Sequence, residues 1–295
     1  MTTETDPFKV AGLRLRELAP ADAGRGAALS AKIGWNQVES DWRYMLANGA
    51  GFGCTAPDGK LVATAMALPY DGFAWVCVVL VAPDHRGRGV ATDLMRRVLD
   101  DLQERGVMAG LDATPAGREV YKHLGFEDVY GLKRLWAQRV ASPAADGGEE
   151  TIATIAPMAA ADIDQVAAYD AGRFGSGRRA LLGHLRARAP DRAFVARAQG
   201  RVVGFVMARD GLVATQIGPV VAEDADTAIA LARHAVGGIV SAAVIDACEH
   251  QKTFVEWFEG AGFEFQRPYV RMLLGRSQPI DRKDNIFAPA GPEFG

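Results

Sequence analysis

The sequence is poor in cysteine: Cys54, Cys77 and Cys248 are all there is in 295 residues, widely spaced and odd in number. They form no disulfide framework and no paired metal-ligand spacing, and are expected as small buried hydrophobes in a reducing, cytoplasmic setting. No metal site is expected. Long apolar runs are missing as well. Nothing nears the roughly 18 residues of a spanning helix, and the opening "MTTETDPFKV" has no basic stretch leading into an apolar one. No membrane partner is therefore expected. Charge of neither sign dominates, the formal net charge being −3, so nucleic-acid binding through a basic surface is not expected either. What is present is an ordinary globular composition, 49% hydrophobic and 23% charged, in a chain long enough for about two domains.

The chain reads as two copies of one pattern. Between them "QRVASPAADGGEE" is rich in Ala, Gly, Pro and acids, has no apolar period, and reads as a linker centred on 141–150. On each side comes a helical region, then a hairpin turning on Gly59 or Gly200, then a strand and helix, then a strand and a helix that ends in Gly-Phe at Gly125 or Gly262. The matching glycines lie about 140 residues apart, far beyond a solenoid period. The expectation is a domain over 1–140, the linker, a second domain over 151–275, and a tail over 276–295 whose phenylalanines pack on the body. Strands alternating with helices make the fold class α/β, with a mixed, partly parallel sheet flanked by helices in each copy.

Local signals place the elements. Residues 73–81, "FAWVCVVLV", form a continuous apolar, β-branched and aromatic run, read as a strand buried on both faces. From Val90, apolar residues recur at Leu94, Val98 and Leu102, beside Ala91 and Met95, as one helical stripe. Thr114 suits an N-cap, Pro115 a first helical turn, and Gly125 a left-handed stop.

Where that strand meets that helix the chain reads "VAPDHRGRGVATDLM". A helix N-terminus leaves about four backbone N–H groups unpaired and carries partial positive charge, which suits an anion. Gly87 and Gly89 leave those amides uncovered, and Arg86 and Arg88 add cationic donors. Over 84–97 the local charge is +2 in an acidic protein, a hollow for phosphate. The Lys-Ser/Thr of a Walker loop is missing, and Gly87-x-Gly89 runs on into Val, Ala and Thr, which breaks the Rossmann fingerprint. The pattern Arg/Gln-x-x-Gly-x-Gly/Ala is met by Arg86 to Ala91 after "VLVAP", with "VYKHLGF" some thirty residues on. Residues 8–140 thereby resemble the GCN5-related N-acetyltransferase (GNAT) family.

That resemblance implies an enzyme moving an acetyl group from acetyl-coenzyme A to a primary amine by direct attack. It puts the cofactor's pyrophosphate on the amides of Arg86, Gly87, Arg88, Gly89, Val90 and Ala91, with a hydroxyl from Thr92. Backbone groups of Val79, Leu80 and Val81 would pair with the pantetheine arm, and one of those N–H groups would stabilise the oxyanion. Tyr121 matches the general acid that protonates the leaving sulfur, with Gly117 one turn earlier leaving room for the cofactor. Two departures stand out. Thr114 replaces the Asn that many members carry seven residues before the tyrosine, and the strand 73–81 contains no acid to act as base. Glu39, Asp41, Asp71, His85 and Asp112 are candidates for that role, and Trp35, Asn36 and Trp42 for the acceptor wall. The acceptor is a small-molecule or peptide amine, and the chain is expected as a monomer or homodimer.

In the second copy, "VVAEDADTAIALARH" keeps neither loop glycine nor loop arginine, and its local charge over 222–235 is −2. Counting back four from Gly262 reaches Phe258, with no hydroxyl to donate. The second domain is therefore expected to be a degenerate, non-catalytic copy. Two alternatives stand beside the favoured reading: a non-catalytic acyl-coenzyme A-binding regulator, and an acyltransferase using another acyl donor or nucleophile.

Overall fold

The computed structural model describes residues 12–140 and 153–295; the expected linker 141–150 and the N-terminal stretch "MTTETDPFKV" lie outside the described residues. Two compact units emerge, one of residues up to Pro69 with Phe73–Ala109, the other of Tyr70–Gly72 with Gly110 onward.

The first unit holds β1 (Arg14–Glu17), α1 (Ala23–Ile33), α2 (Glu39–Asn48), β2 (Ala50–Thr55), β3 (Leu61–Tyr70), β4 (Phe73–Val81) and α3 (Val90–Glu104). Its strands run in the order β1-β2-β3-β4. β1 to β3 are antiparallel, Leu15 opposite Cys54 and Phe52 opposite Ala65. β4 is buried along most of its length, as its unbroken apolar run demands. α3 packs on β2 and β4 through Val90, Leu94, Met95, Val98 and Leu102, the stripe read from the sequence. Trp42 and Trp75 are fully buried in this core.

The second unit begins within β5 (Met108–Ala113) and continues through α4 (Pro115–His123), β6 (Phe126–Ala137), β7 (Thr154–Pro157), α5 (Ile163–Phe174) and α6 (Arg179–Arg188). Then come β8 (Phe194–Ala198), β9 (Arg201–Arg209), β10 (Thr215–Ala222), α7 (Ala225–Val236), β11 (Ala243–Cys248), α8 (Lys252–Gly260), β12 (Glu264–Leu274) and β13 (Ile286–Ala288). The sheet order is β5-β12-β6-β11-β10-β9-β8-β7, with β13 added on β10. β10 and β11 are parallel over Thr215–Ile217, the other neighbours antiparallel, so the sheet is mixed as expected.

The two repeats exchange their last strands. β6, from the first repeat, lies between β11 and β12 of the second, with Leu135 facing both Ile245 and Phe265. β12 in turn separates β5 from β6, placing Arg271 opposite Asp112. The compact units therefore part inside β5, because β6 and β12 each carry ladders on both sides.

Buried ion pairs fix this register. Arg271 donates to both oxygens of Asp112, each at 3.0 Å, and to Asp281 at 2.8 Å. Tyr130 donates to Asp281 at 2.6 Å. One strand across, Arg134 grips Asp246 at 2.7 and 2.8 Å. A lone charge so deeply buried is strongly unfavourable, so a slipped register is penalised by every pair it breaks. Asp112, expected as a candidate base, is instead this buried counter-ion; burial pushes its carboxyl up while Arg271 opposes the shift. The three cysteines are buried thiols outside any disulfide, and burial pushes the Cys248 thiol well up. Among the described residues no helix is long and apolar enough to cross a membrane, and no His/Cys/Asp/Glu group could hold a metal.

Arg271→Met is expected to cost about 3–5 kcal/mol, because two carboxylates lose their buried partner. Urea unfolding of the variant should show its midpoint well below that of the parent; an unchanged midpoint would remove the ion pairs from the account of register.

Candidate functional site

The strand-to-helix turn of the first unit is built on an irregular backbone. Val78 in β4 takes φ +44°, left-handed backbone that β-branched residues rarely adopt. Its carbonyl accepts a 2.7 Å hydrogen bond from Thr64 Oγ1. Sequence reasoning missed Val78, since nothing in "FAWVCVVLV" marks it. The signal lay in the other repeat: Val78 and Gly218 each stand four residues ahead of an alanine, Ala82 and Ala222, and a glycine marks the same irregularity there.

Beyond β4 the chain turns at Pro83–His85 and enters α3 through Gly87 and Gly89, with φ of +71° and +81°. Gly89 is the N-cap, so no side chain caps the first amides of α3. A Cβ on either glycine would meet nothing within 4 Å; left-handed backbone, not crowding, calls for glycine, and the space above the turn stands open. Arg86 Nε donates to the Val81 carbonyl at 3.0 Å and Arg88 to the Asp84 carbonyl at 3.1 Å, so both exposed guanidinium groups are held at the turn by backbone oxygens. The two acids nearby are matched by cations. Lys32 binds Asp84 at 2.9 Å and holds its carboxyl below the usual range, and Arg96 lies 3.6 Å from Asp93. Ala91 and Thr92 follow in the first turn, behind the buried Val90.

In the second unit, α4 carries the other predicted residues. Thr114 Oγ1 accepts the Gly117 N–H at 3.2 Å, an N-cap as its type suggests. At Gly117 a Cβ would stand 2.8 Å from Tyr121 Cε2, so the glycine makes room for the tyrosine ring itself. The ring leans on Phe126 at 5.9 Å, and Arg118 on the same helix is anchored to Asp128 on β6 at 2.9 Å. Tyr121 is half-buried, and desolvation raises its phenol above the ordinary value of 10. No polar group among the described residues bonds its hydroxyl, which leaves the proton available to another molecule.

The corresponding places in the second repeat are filled. α7 starts on Asp224, whose Oδ1 accepts the Thr227 N–H at 2.8 Å, and Glu223 beside it pairs with Arg173. Phe258 is fully buried between Phe254 and Phe263, at ring separations of 5.1 and 4.9 Å.

Comparison with known proteins follows the same division. A model described as acetyltransferase (GNAT) family matches residues 27–126, and one described as acetyltransferase (GNAT) domain matches 166–288. The chain belongs to the GNAT acetyltransferase family. It is a tandem member with two GNAT regions, and an N-acetyltransferase enzyme. Among solved structures, a putative acetyltransferase from Pyrococcus horikoshii is similar over 98% of each chain, at 19% identity and TM-score 0.77. A GCN5-related N-acetyltransferase from Sphaerobacter thermophilus is similar over 94% of this chain and 99% of its own, at 18% identity and TM-score 0.63. A tandem GNAT protein from the clavulanic acid biosynthesis pathway is similar over 88% of this chain and 98% of its own, at 16% identity and TM-score 0.61. At these identities the likeness is one of fold. No curated protein matches the chain.

Within this tandem GNAT protein, the remaining candidates are held in different ways. Trp42, expected at the acceptor wall, is core, with its indole N–H donating to Ser30 at 3.0 Å. Trp35 and Asn36 are half-buried between α1 and α2. Asp41 accepts the Val38 N–H at 2.9 Å, closing the start of α2, and Glu39 is held by Arg43 at 2.5 Å. The Asp71 backbone N–H is bonded by Ser176 at 2.8 Å. His85 keeps a buried Nδ1 with no hydrogen-bond partner among the described residues.

Asp224→Ala should cost about 1 kcal/mol, the value of a lost N-cap, and Asp224→Asn should cost far less. Denaturant midpoints of the two variants measure this; equal losses would show that the carboxylate does not cap α7.

Proposed function

We propose that the first repeat is the working acetyltransferase and the second a non-catalytic copy. One observation carries the reading: α3 begins on an uncapped glycine, Gly89, just after Arg86 and Arg88, whereas α7 begins on an aspartate that already accepts one of its amides. Diphosphate gains from the first arrangement and meets like charge in the second.

Acetyl-CoA is the donor on this reading. Its diphosphate is held by the amides of Arg86 to Ala91, the two guanidinium groups and the Thr92 hydroxyl, and its pantetheine arm lies along the backbone of Val79, Leu80 and Val81. An amide N–H at the end of β4 stabilises the oxyanion as a neutral primary amine attacks the thioester carbonyl. The new C–N bond forms, the C–S bond breaks, and the Tyr121 phenol gives its proton to the departing sulfur. The proton lost by the amine nitrogen passes to solvent, which also restores the phenol. Thr114 and Gly117 serve this step by starting α4 and seating the ring. The acceptor class is a small-molecule or peptide amine.

Tyr121→Phe should lower kcat by about 10²–10⁴-fold with KM for acetyl-CoA unchanged, as loss of a general acid does. The raised phenol pKa sets the sign of the pH response: the proton-bearing form persists as pH rises through 10, so kcat should not fall with an apparent pKa at or below 10 on account of this group. A fully active Tyr121→Phe would overturn the acid assignment. Saturable acetyl-CoA binding with no product from an amine panel would instead make the protein an acyl-CoA-binding regulator.

A further inference from the structure

In the second repeat, β10 runs parallel to β11 only as far as Ile217. Past Gly218 the pairing on that side is taken over by β13 from the C-terminal segment, with Val220 opposite Ala288 and Val221 opposite Ile286, antiparallel. β13 lies against β11 as well as β10, so it occupies the gap where the two strands part. This is the counterpart of the strand end that, in the first repeat, leads into the glycine turn.

The segment is held as a ligand is held. The Gln251 amide donates to the carbonyls of Lys283, Asp284 and Ile286 at 3.3, 3.0 and 3.4 Å, and Asn285 Nδ2 reaches the Ala222 carbonyl, at the end of β10, at 3.0 Å. Phe287 is buried with its ring 5.2 Å from Phe254, the neighbour of Phe258. Gly218 has no space for a side chain: its Cβ would stand 2.1 Å from the Pro289 carbonyl oxygen. Further on, Arg209 donates to the Ala290 carbonyl at 2.5 Å and pairs with Glu293, both carboxylate and guanidinium buried. Arg178 and Tyr70 bind the last two carbonyls, Gly295 and Phe294, at 2.8 and 2.7 Å. Main-chain pairing, a side-chain pocket and a buried charge partner together make a strand-addition site.

We propose that the split strand pair of the second repeat is a peptide-binding cleft whose permanent occupant is residues 281–295 of the same chain. The ligand class is an extended peptide, apolar at Ile286–Ala288 and acidic at Glu293. No acyl carrier enters there, because the backbone edge of β10 is already paired and α7 is capped by its own aspartate.

Hydrogen exchange read by mass spectrometry on the full-length chain tests this without any substitution. Residues 286–290 should exchange slower than an unstructured peptide by at least about 10³-fold, at the level of a core strand, and saturating acetyl-CoA should leave that protection unchanged. Fast exchange there, or protection lost on adding acetyl-CoA, would overturn the proposal. As a second arm, a protease site placed in the exposed stretch Arg276–Gln278 of the full chain cuts the segment free. The fragment should then co-elute with the body on gel filtration, and Phe287→Asp should release it. Separation of the unaltered fragment from a folded body would contradict a bound peptide, whether or not the first repeat turns over acetyl-CoA.

Discussion

Backbone amides at the start of a helix need an acceptor, and whichever group supplies it decides what else can bind there. At α3 the chain withholds one: Gly89 has no side chain to offer, and the nearby guanidinium groups are tethered to carbonyls rather than carboxylates. At α7 the chain supplies its own in Asp224, with Glu223 alongside. The same fold thus begins one helix on an uncapped glycine and the other on a capping aspartate, the difference on which the proposed anion site rests. Everything proposed about catalysis follows from this asymmetry; the remaining geometry positions groups around it.

On the proposed reading, the second repeat has been turned from a site into a support. Its last strand, β12, lies beside β5 and brings Arg271 to Asp112, while β6 of the first repeat is enclosed by β11 and β12. The segment bearing Tyr121 therefore lies between β5 and β6, each of which pairs with a strand of the second repeat. Its own cleft is closed by aromatic packing around Phe254 and Phe258 and by the strand β13. A repeat with that duty gains from a rigid, filled cleft, which is the opposite of what a substrate-binding repeat requires.

Much of this was legible in the sequence, for local reasons. The β4 run, the α3 stripe, the Thr114 cap and the left-handed Gly125 are each specified by neighbours within a turn or two, and each is present. The glycine turn was readable because charge and conformation change together over a few residues. Long-range pairing was not. A strand such as β12 alternates the same way whichever strands flank it, so its insertion between β5 and β6 leaves no local mark. Asp112 looked like a free acid because its partner, Arg271, is supplied by a strand from the other repeat. Gly117 was read as space for a cofactor, and its lack of a Cβ also makes room for the ring four residues on. Val78 could have been found only by comparing the repeats, through Gly218 at the matching place.

The most direct test of the central claim is a crystal structure of the full-length protein grown with acetyl-CoA. The account predicts one molecule per chain, its diphosphate within hydrogen-bond distance of the amides of Arg86 to Ala91, and no density for cofactor along residues 219–228. Diphosphate found against 219–228 with the Arg86–Ala91 turn empty would contradict it.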